Sequence, residues 1–189
     1  MVATRILTAE DLEAMGEEGE RYEIVRGELR EVQGMGIRHG ASGGRLQWYL
    51  STFVYERDLG EVLNSDTRYV FPGDPPSTLA PDISFVRGDR WAPGELPDGY
   101  GRVVPDFVAE FKSPSNTERE MRERVAIYLE AGVPLVVLAR PTPRTVSVFR
   151  ADGSEQLLTE DDELAGDPVL PGFRIRVSEI FRRRGVPSQ

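Results

Sequence analysis

The sequence contains no cysteine, one histidine and, as its only lysine, Lys112. Without cysteine the chain can form no disulfide, no thiolate metal site and no cysteine nucleophile. A single histidine also argues against zinc sites that need several imidazoles. Any metal ion would therefore be held mainly by carboxylates.

Long apolar segments are missing too. No stretch approaches the roughly 18 apolar residues that a membrane span needs. The N-terminal residues 1–8 lead directly into an acidic segment and lack the apolar region of a signal peptide. We therefore expect a cytoplasmic protein with no membrane partner, and the length of 189 residues predicts a single domain over residues 1–189.

Positive charge is in short supply, since 32 acidic residues outnumber 23 basic ones and the formal net charge is −9. Affinity for the phosphate backbone of nucleic acids normally comes from Lys and Arg. Charges can segregate by face, so a nucleic-acid partner is not excluded. The balance predicts weak, metal-dependent binding if such a partner exists.

The strongest candidate catalytic residues lie in two short motifs, Pro81-Asp82 and Glu110-Phe111-Lys112. β-Branched and aromatic residues follow Asp82 and precede Glu110, which predicts two strands. Side chains alternate along a strand, so Glu110 and Lys112 should share a face, with Cα atoms roughly 6.6 Å apart. If Asp82 starts the neighbouring strand, two carboxylates and an amine converge, and such a group suits Mg²⁺.

Lys112 is the one exception among otherwise arginine-only basic residues. Arginine carries a planar, fixed charge, whereas lysine is a compact charge whose pKa shifts readily on burial. Position 112 is therefore predicted to need a lysine. The alternative is an ordinary Glu110–Lys112 ion pair on a solvated strand face, which contributes only about 0–1 kcal/mol.

The remaining sequence predicts a mixed α/β fold in which helices flank a central sheet. Periodicity and capping residues predict helices over residues 9–17, 41–58 and 117–131. Alternation predicts a hairpin within 21–32 and strands at 61–63, 67–71, 135–138, 145–149, 156–158 and 171–177. Prolines 72, 75 and 76 are expected to end strand pairing and to lead to the Asp82 strand. Residues 34–40 are expected to form a flexible connection. The acidic segment 160–168 is expected to be exposed to solvent. The strand, helix and strand between residues 107 and 138 indicate a crossover with parallel neighbours.

This order of elements, with Asp and Glu-x-Lys on adjacent strands, resembles the PD-(D/E)xK nuclease superfamily. Within it, the chain is similar to the bacterial family of putative restriction endonucleases. The matching segments are Arg21–Leu29, His39, Pro81–Val86, Pro105–Glu110, Ser113–Ser115, Tyr128–Val133 and Leu170–Phe173. The resemblance implies a restriction-endonuclease-like core with an extra N-terminal hairpin and C-terminal strands.

The resemblance also implies roles for individual residues. Asp82 and Glu110 would bind Mg²⁺, with Mn²⁺ as a substitute, and the backbone carbonyl of Phe111 would be a further ligand. Lys112 would orient or activate the attacking water and stabilise charge on the phosphate. Glu23 matches an acidic residue that often completes such sites, and the alternative is that it is a solvated hairpin residue. DNA is the implied substrate, and a homodimer the implied assembly.

Three further features have two interpretations each. His39 could contact phosphate or relay a proton, or it could simply pack at the start of a helix. Asp106 lies about 13 Å from Glu110 along the strand, too far to share one metal, so it should end the strand or lie at the rim. The run Arg182–Arg184 could touch a phosphate backbone or form a solvated helix end.

The chain departs from the pattern of the family that it resembles at three positions. Arg124 stands where family members usually have a lysine, Val137 where they often have a tryptophan, and Arg140-Pro141 where they commonly have Asp-Pro. These departures are expected to affect partner contacts and helix packing more than the metal site. The competing function is a nuclease-fold module that binds a protein or nucleic-acid partner without turnover. Metal binding discriminates between the two, because only the nuclease requires it.

Overall fold

The computed structural model of the protein describes residues 5–32, 34–92 and 95–182. The helices in these ranges are α1 (Ala9–Ala14), α2 (Ile37–Tyr55), α3 (Glu118–Glu130) and α4 (Val177–Ile180). The strands are β1 (Tyr22–Val25), β2 (Glu28–Glu31), β3 (Gly60–Asn64), β4 (Tyr69–Phe71), β5 (Ser77–Leu79), β6 (Ile83–Arg87), β7 (Phe107–Phe111), β8 (Leu135–Arg140), β9 (Thr145–Arg150), β10 (Glu155–Leu158), β11 (Glu163–Ala165) and β12 (Arg174–Arg176). No helix in the described part of the chain has the length and apolar character needed to cross a bilayer.

The central sheet has six strands in the order β10-β9-β8-β7-β6-β3. Strands β7 and β8 are parallel and are joined through α3, as predicted, while the other neighbours are antiparallel. Ile83 pairs with Ala109, which places Asp82 opposite Glu110 at one end of the sheet. The two predicted carboxylates therefore meet at the point where β6 begins and β7 ends.

Helices cover both faces of this sheet. The buried stripe of α2, formed by Leu46, Leu50 and Val54, packs on one face, and Val125 and Tyr128 of α3 pack on the other. This explains the continuous apolar sequence of β8, which is buried from both sides. The predicted fold class, a mixed sheet flanked by helices, is confirmed.

A second sheet, in the order β2-β1-β5-β4, carries the predicted N-terminal hairpin of β1 and β2. Its turn requires glycine at position 27, where φ is 79°. A Cβ atom there would lie 2.8 Å from Ile6 Cγ2 and 3.0 Å from Pro75 Cβ. The hairpin is therefore held tightly against the segment that leads into β5.

Two segments differ from expectation by containing strands. β5 follows Pro76 immediately, because a proline is tolerated just before a strand. The acidic segment 160–168 contains β11, which pairs with β12 and buries Leu164 while Glu163 faces outward. In both places the buried alternate residues outweigh the local composition.

Helix boundaries differ as well. α2 begins at Ile37 instead of residue 41, so the predicted flexible connection is partly helical. Gly40, Gly43 and Gly44 weaken the local helix signal, but burial of His39 at the helix start stabilises the first turn. α1 ends at Ala14 and continues as a 3₁₀ turn over Gly16–Arg21.

Candidate active site

A pocket of about 200 Å³ lies where β7 ends, beside the N-terminal hairpin and the first turns of α2 and α3. Its lining includes Glu23 from β1, His39 from α2 and Asp82 before β6. Glu110 from β7 and Arg124 from α3 complete its charged groups. Four of the five predicted catalytic side chains are thus brought together in one place.

Glu110 is the most enclosed of the carboxylates that line the pocket, with 5% of its side chain exposed. Its Oε1 accepts a hydrogen bond from the Tyr128 hydroxyl and lies 2.8 Å from the Arg124 guanidinium. Burial raises the pKa of Glu110 to about 7, against the opposing effects of the Arg124 charge and the Tyr128 hydrogen bond. No hydrogen bond from the described part of the chain reaches Oε2.

Asp82 is held by two donors at one oxygen. Its Oδ2 accepts the backbone N–H of Phe111 at 2.6 Å and lies 2.9 Å from His39 Nε2. His39 is itself buried and contacts the Phe111 ring edge-on, with ring centroids 5.7 Å apart. These contacts fix the carboxylate against the end of β7 and leave Oδ1 without a hydrogen bond from any described residue.

His39 packs at the start of α2, as one of the two interpretations predicts, and it also contacts Asp82. Its contact with phosphate or its action as a proton relay stays a prediction. Burial lowers the pKa of His39. The hydrogen bond and charge of Asp82 raise this pKa, with smaller contributions from Glu110 and the Phe111 backbone, and together these effects exceed that of burial. The net pKa lies above the usual value.

Arg124 joins two of the carboxylates. It donates from Nε to Glu110 and from both terminal nitrogens to Glu23, and Nη2 also donates to the Ala80 carbonyl at 3.2 Å. Burial opposes its charge, yet Glu110 and Glu23 keep the pKa of Arg124 well above its usual value. Arg124 is therefore a component of the site, contrary to the expectation that this departure would affect mainly partner contacts and helix packing.

The sequence held a signal for Arg124 that composition did not reveal. Arg124 lies beside Met121, Val125 and Tyr128, all of which are buried residues of α3. A charged residue within the buried stripe of an amphipathic helix needs a buried partner. Tyr128 lies in a segment that matches the family, but the sequence predicted no site role for it. In the structure its hydroxyl donates a hydrogen bond to Glu110.

Glu23 is buried, which contradicts the alternative of a solvated hairpin residue. Its Oε1 accepts the backbone N–H of Ala80 at 2.7 Å, in addition to the contacts with Arg124. The hairpin is thereby tied to the segment before Asp82. Glu23 acts through these contacts to position the other acidic residues.

Lys112 lies outside this group. Its backbone N–H continues the pairing with β8 through the Ala139 carbonyl, but β7 ends at Phe111 and the chain turns at Ser113. Lys112 Nζ lies 3.4 Å from the Ser113 carbonyl. Lys112 is not among the described residues that line the pocket. It lies on the α3 side: the pKa of Glu118 is lowered first by an Arg140 hydrogen bond and, to a smaller extent, by the Lys112 charge.

Asp106 is placed at the rim, as expected. Its carboxylate accepts the backbone N–H of Arg87 at 3.0 Å and an Arg90 side-chain hydrogen bond at 2.8 Å. It fastens the start of β7 to the segment after β6. It is a structural residue at the end of the sheet opposite to the pocket.

The donor atoms of the pocket are compatible with Mg²⁺. Within residues 5–32, 34–92 and 95–182, no group of three or more acidic or histidine side chains is arranged to hold a metal ion. Mg²⁺, however, is commonly bound through one or two carboxylates and keeps several waters. Asp82 and Glu110 each offer one carboxylate oxygen without a hydrogen bond from the described residues, and Phe111 lies beside them.

The sequence and fold both have recognisable relatives. The sequence matches the Uma2 family, described as "Putative restriction endonuclease", over residues 9–178. No curated protein matches it. The fold is similar to the crystal structure of a putative nuclease belonging to DUF820 from Anabaena variabilis, with a TM-score of 0.82, 18% sequence identity, and coverage of 93% of this chain and 97% of that one.

Proposed function

The chain belongs to the Uma2 family of putative restriction endonucleases, and we propose that it is a metal-dependent endonuclease that hydrolyses phosphodiester bonds in DNA. The matching family is described as a putative restriction endonuclease and the similar structure as a putative nuclease, and both descriptions support a nuclease function. The observation that carries the proposal is the meeting of Asp82 and Glu110 in one pocket, each with one carboxylate oxygen that accepts no hydrogen bond from the described residues. In the cell we expect a cytoplasmic enzyme, a single nuclease domain that assembles as a homodimer.

Asp82, Glu110 and the Phe111 carbonyl would hold Mg²⁺, or Mn²⁺ in its place. The metal would lower the pKa of a bound water and offset charge on the phosphate. His39 and the Phe111 N–H keep Asp82 in place, and Arg124 does the same for Glu110. These contacts hold the oxygen ligands in position before the metal binds.

Hydrolysis joins a water oxygen to phosphorus and breaks one P–O ester bond, so negative charge develops on the phosphate. Lys112 is the cation proposed to stabilise this charge and orient the water. Its side chain is long, and the one hydrogen bond that its amine makes to a described residue, with the Ser113 carbonyl, is a long one at 3.4 Å. The amine can therefore leave that contact and turn toward a bound phosphate.

A non-catalytic module is the second candidate, and Arg124 is the observation that favours it. A buried arginine between Glu23 and Glu110 offsets one negative charge, and burial raises the pKa of Glu110 to about 7. The three side chains together therefore carry little net charge without any metal. A pocket balanced in this way can persist as a structural feature. Asp82, which has no arginine partner among the described residues, favours the nuclease.

Cleavage of supercoiled plasmid and of single-stranded DNA tests the proposal, with Mg²⁺ or Mn²⁺ and with EDTA as the metal-free control. We expect metal-dependent cleavage by the parent protein and its loss in Asp82→Ala and in Lys112→Ala. Asp89→Ala is the matched control, because this aspartate is exposed and, within the part of the chain that the structure describes, pairs with Arg87 alone. No cleavage by the parent, together with no binding of Mn²⁺ in a titration, would favour the non-catalytic module.

A further inference from the structure

Four arginines surround a second pocket of about 240 Å³ at the start of α2. Arg38 and Arg45 come from α2, Arg144 from the turn between β8 and β9, and Arg182 from the segment after α4. We call these four residues the arginine surface. Three separate parts of the sequence contribute to it.

The arginine surface carries an excess of positive charge on an acidic protein. Arg144 pairs with Glu160, and Arg182 lies 3.5 Å from Glu179. Most other arginines in the described ranges are paired with carboxylates as well. Arg38 and Arg45, in contrast, have no carboxylate within 4 Å among the described residues, and Arg45 donates only to a carbonyl of its own helix.

The start of α2 adds to this charge. Its first turn contains no acidic residue, so the partial positive charge of the helix N-terminus is not compensated there. Arg38 and Arg45 lie seven residues apart, about 10.5 Å along the helix axis. A DNA duplex presents roughly one phosphate charge per 1.7 Å of axis, so a surface of this length faces several phosphates.

The arginine surface adjoins the candidate active site. Arg38 precedes His39, which contacts Asp82. Arg144 follows the end of β8, the strand whose Ala139 carbonyl accepts the Lys112 N–H. A nucleic acid that places a phosphate at Asp82 would therefore continue across the start of α2.

We propose that the arginine surface binds the phosphate backbone of DNA beside the cleavage site, an inference that rests on the proposed function. Guanidinium groups form paired hydrogen bonds with phosphate oxygens and remain charged at all relevant pH values. The net charge of −9 opposes binding elsewhere on the molecule, so this surface directs DNA to one side of the site. It is a positioning surface lined by arginines and, among the described residues, by no carboxylate. Its part of the binding should therefore persist without metal, whereas the net charge alone predicts metal-dependent binding.

The test measures binding of a fluorescently labelled DNA duplex by anisotropy in EDTA, where metal-dependent cleavage cannot occur. The test variant is Arg38→Ala/Arg45→Ala. The matched control is Arg87→Ala/Arg150→Ala, which removes the same charge at the opposite end of the central sheet, where Arg87 ends β6 and Arg150 ends β9. Circular dichroism checks that both variants fold.

We expect the test variant to bind at least about tenfold more weakly and the control to stay within about twofold of the parent. Between about 50 and 200 mM salt, log K falls as log salt rises, and this negative slope should become shallower by about 0.9 for each lost phosphate contact. Equal loss in both variants, an unchanged slope or no DNA binding by the parent would each overturn the proposal. Selective loss in the test variant supports the arginine surface even if the parent does not cut DNA. A parent that binds DNA but does not cut it would reject only the proposed nuclease activity.

Discussion

Arg124 is a buried cation enclosed between two carboxylates, and its removal tests whether the pocket depends on it. In Arg124→Met, Glu23 and Glu110 remain buried without their counter-charge. Since the Arg124 charge lowers the pKa of Glu110, its loss also favours uptake of a proton by this carboxyl. Removal of one member of a buried ion pair costs about 3–5 kcal/mol. We expect the free energy of unfolding, measured with urea in EDTA, to fall by an amount in this range.

Arg122→Met is the matched control for this prediction. Arg122 lies on the same helix but pairs with Glu155 at an exposed site, where 51% and 41% of the two side chains are exposed. Exposed ion pairs contribute about 0–1 kcal/mol. If Arg124→Met loses no more stability than Arg122→Met, the carboxylates relax without the arginine, and the idea of a charge-balanced pocket is wrong.

At the scale of elements, the turn of the N-terminal hairpin determines where Glu23 lies. Gly27→Ala would combine a φ of 79° with a Cβ atom 2.8 Å from Ile6 Cγ2. A left-handed conformation costs a non-glycine residue about 1 kcal/mol, and the close contact adds to it. We expect a loss of about 2–4 kcal/mol in urea unfolding.

Gly153→Ala separates the two causes. Gly153 has a φ of 83°, but a Cβ atom there would meet nothing within 4 Å. Its substitution should cost only the conformational term of about 1 kcal/mol. Equal losses at positions 27 and 153 would mean that Ile6 and Pro75 yield to the new methyl group, and that the hairpin is held less tightly than the contacts suggest.

Local signals predicted the elements whose sequence and packing agree. The capping box at Thr117 and Glu120 begins α3, and the continuous apolar run of β8 matches a strand covered on both faces. β5 and β11 were not predicted, because they are three residues long and depend on partners distant in sequence. A pattern that short cannot show alternation clearly enough to outweigh prolines or acidic neighbours.

The candidate site was predicted in the same uneven way. Strand pairing brought Asp82 opposite Glu110, as the spacing of the two strands suggested. The placement of Lys112 assumed that β7 continues past Phe111, but Ser113 instead bonds within its own turn to Asn116. The buried role of Arg124 depends on which face of α3 meets the hairpin, and that contact between β1 and α3 is set by tertiary packing.

At the scale of the whole molecule, the net charge of −9 makes metal binding favourable anywhere that carboxylates cluster. A general stabilisation by cations would therefore say little about the pocket. The proposed function requires a stronger and local effect at Asp82 and Glu110. Ligand that binds only the folded state stabilises it by about 2.7 kcal/mol at a concentration 100 times its Kd.

We therefore expect saturating Mg²⁺ to raise the melting temperature of the parent by about 5–10 °C, given that 1 kcal/mol shifts a chain of this size by about 2–4 °C. Melting in KCl at matched ionic strength measures the effect of screening alone, which should be much smaller. Asp82→Asn removes the charge of one proposed ligand while keeping its shape, so the shift with Mg²⁺ should fall to the value seen in KCl. If Asp82→Asn and the parent respond equally to Mg²⁺, the metal binds elsewhere on the acidic surface, and the balanced pocket of Glu23, Glu110 and Arg124 serves the non-catalytic module instead.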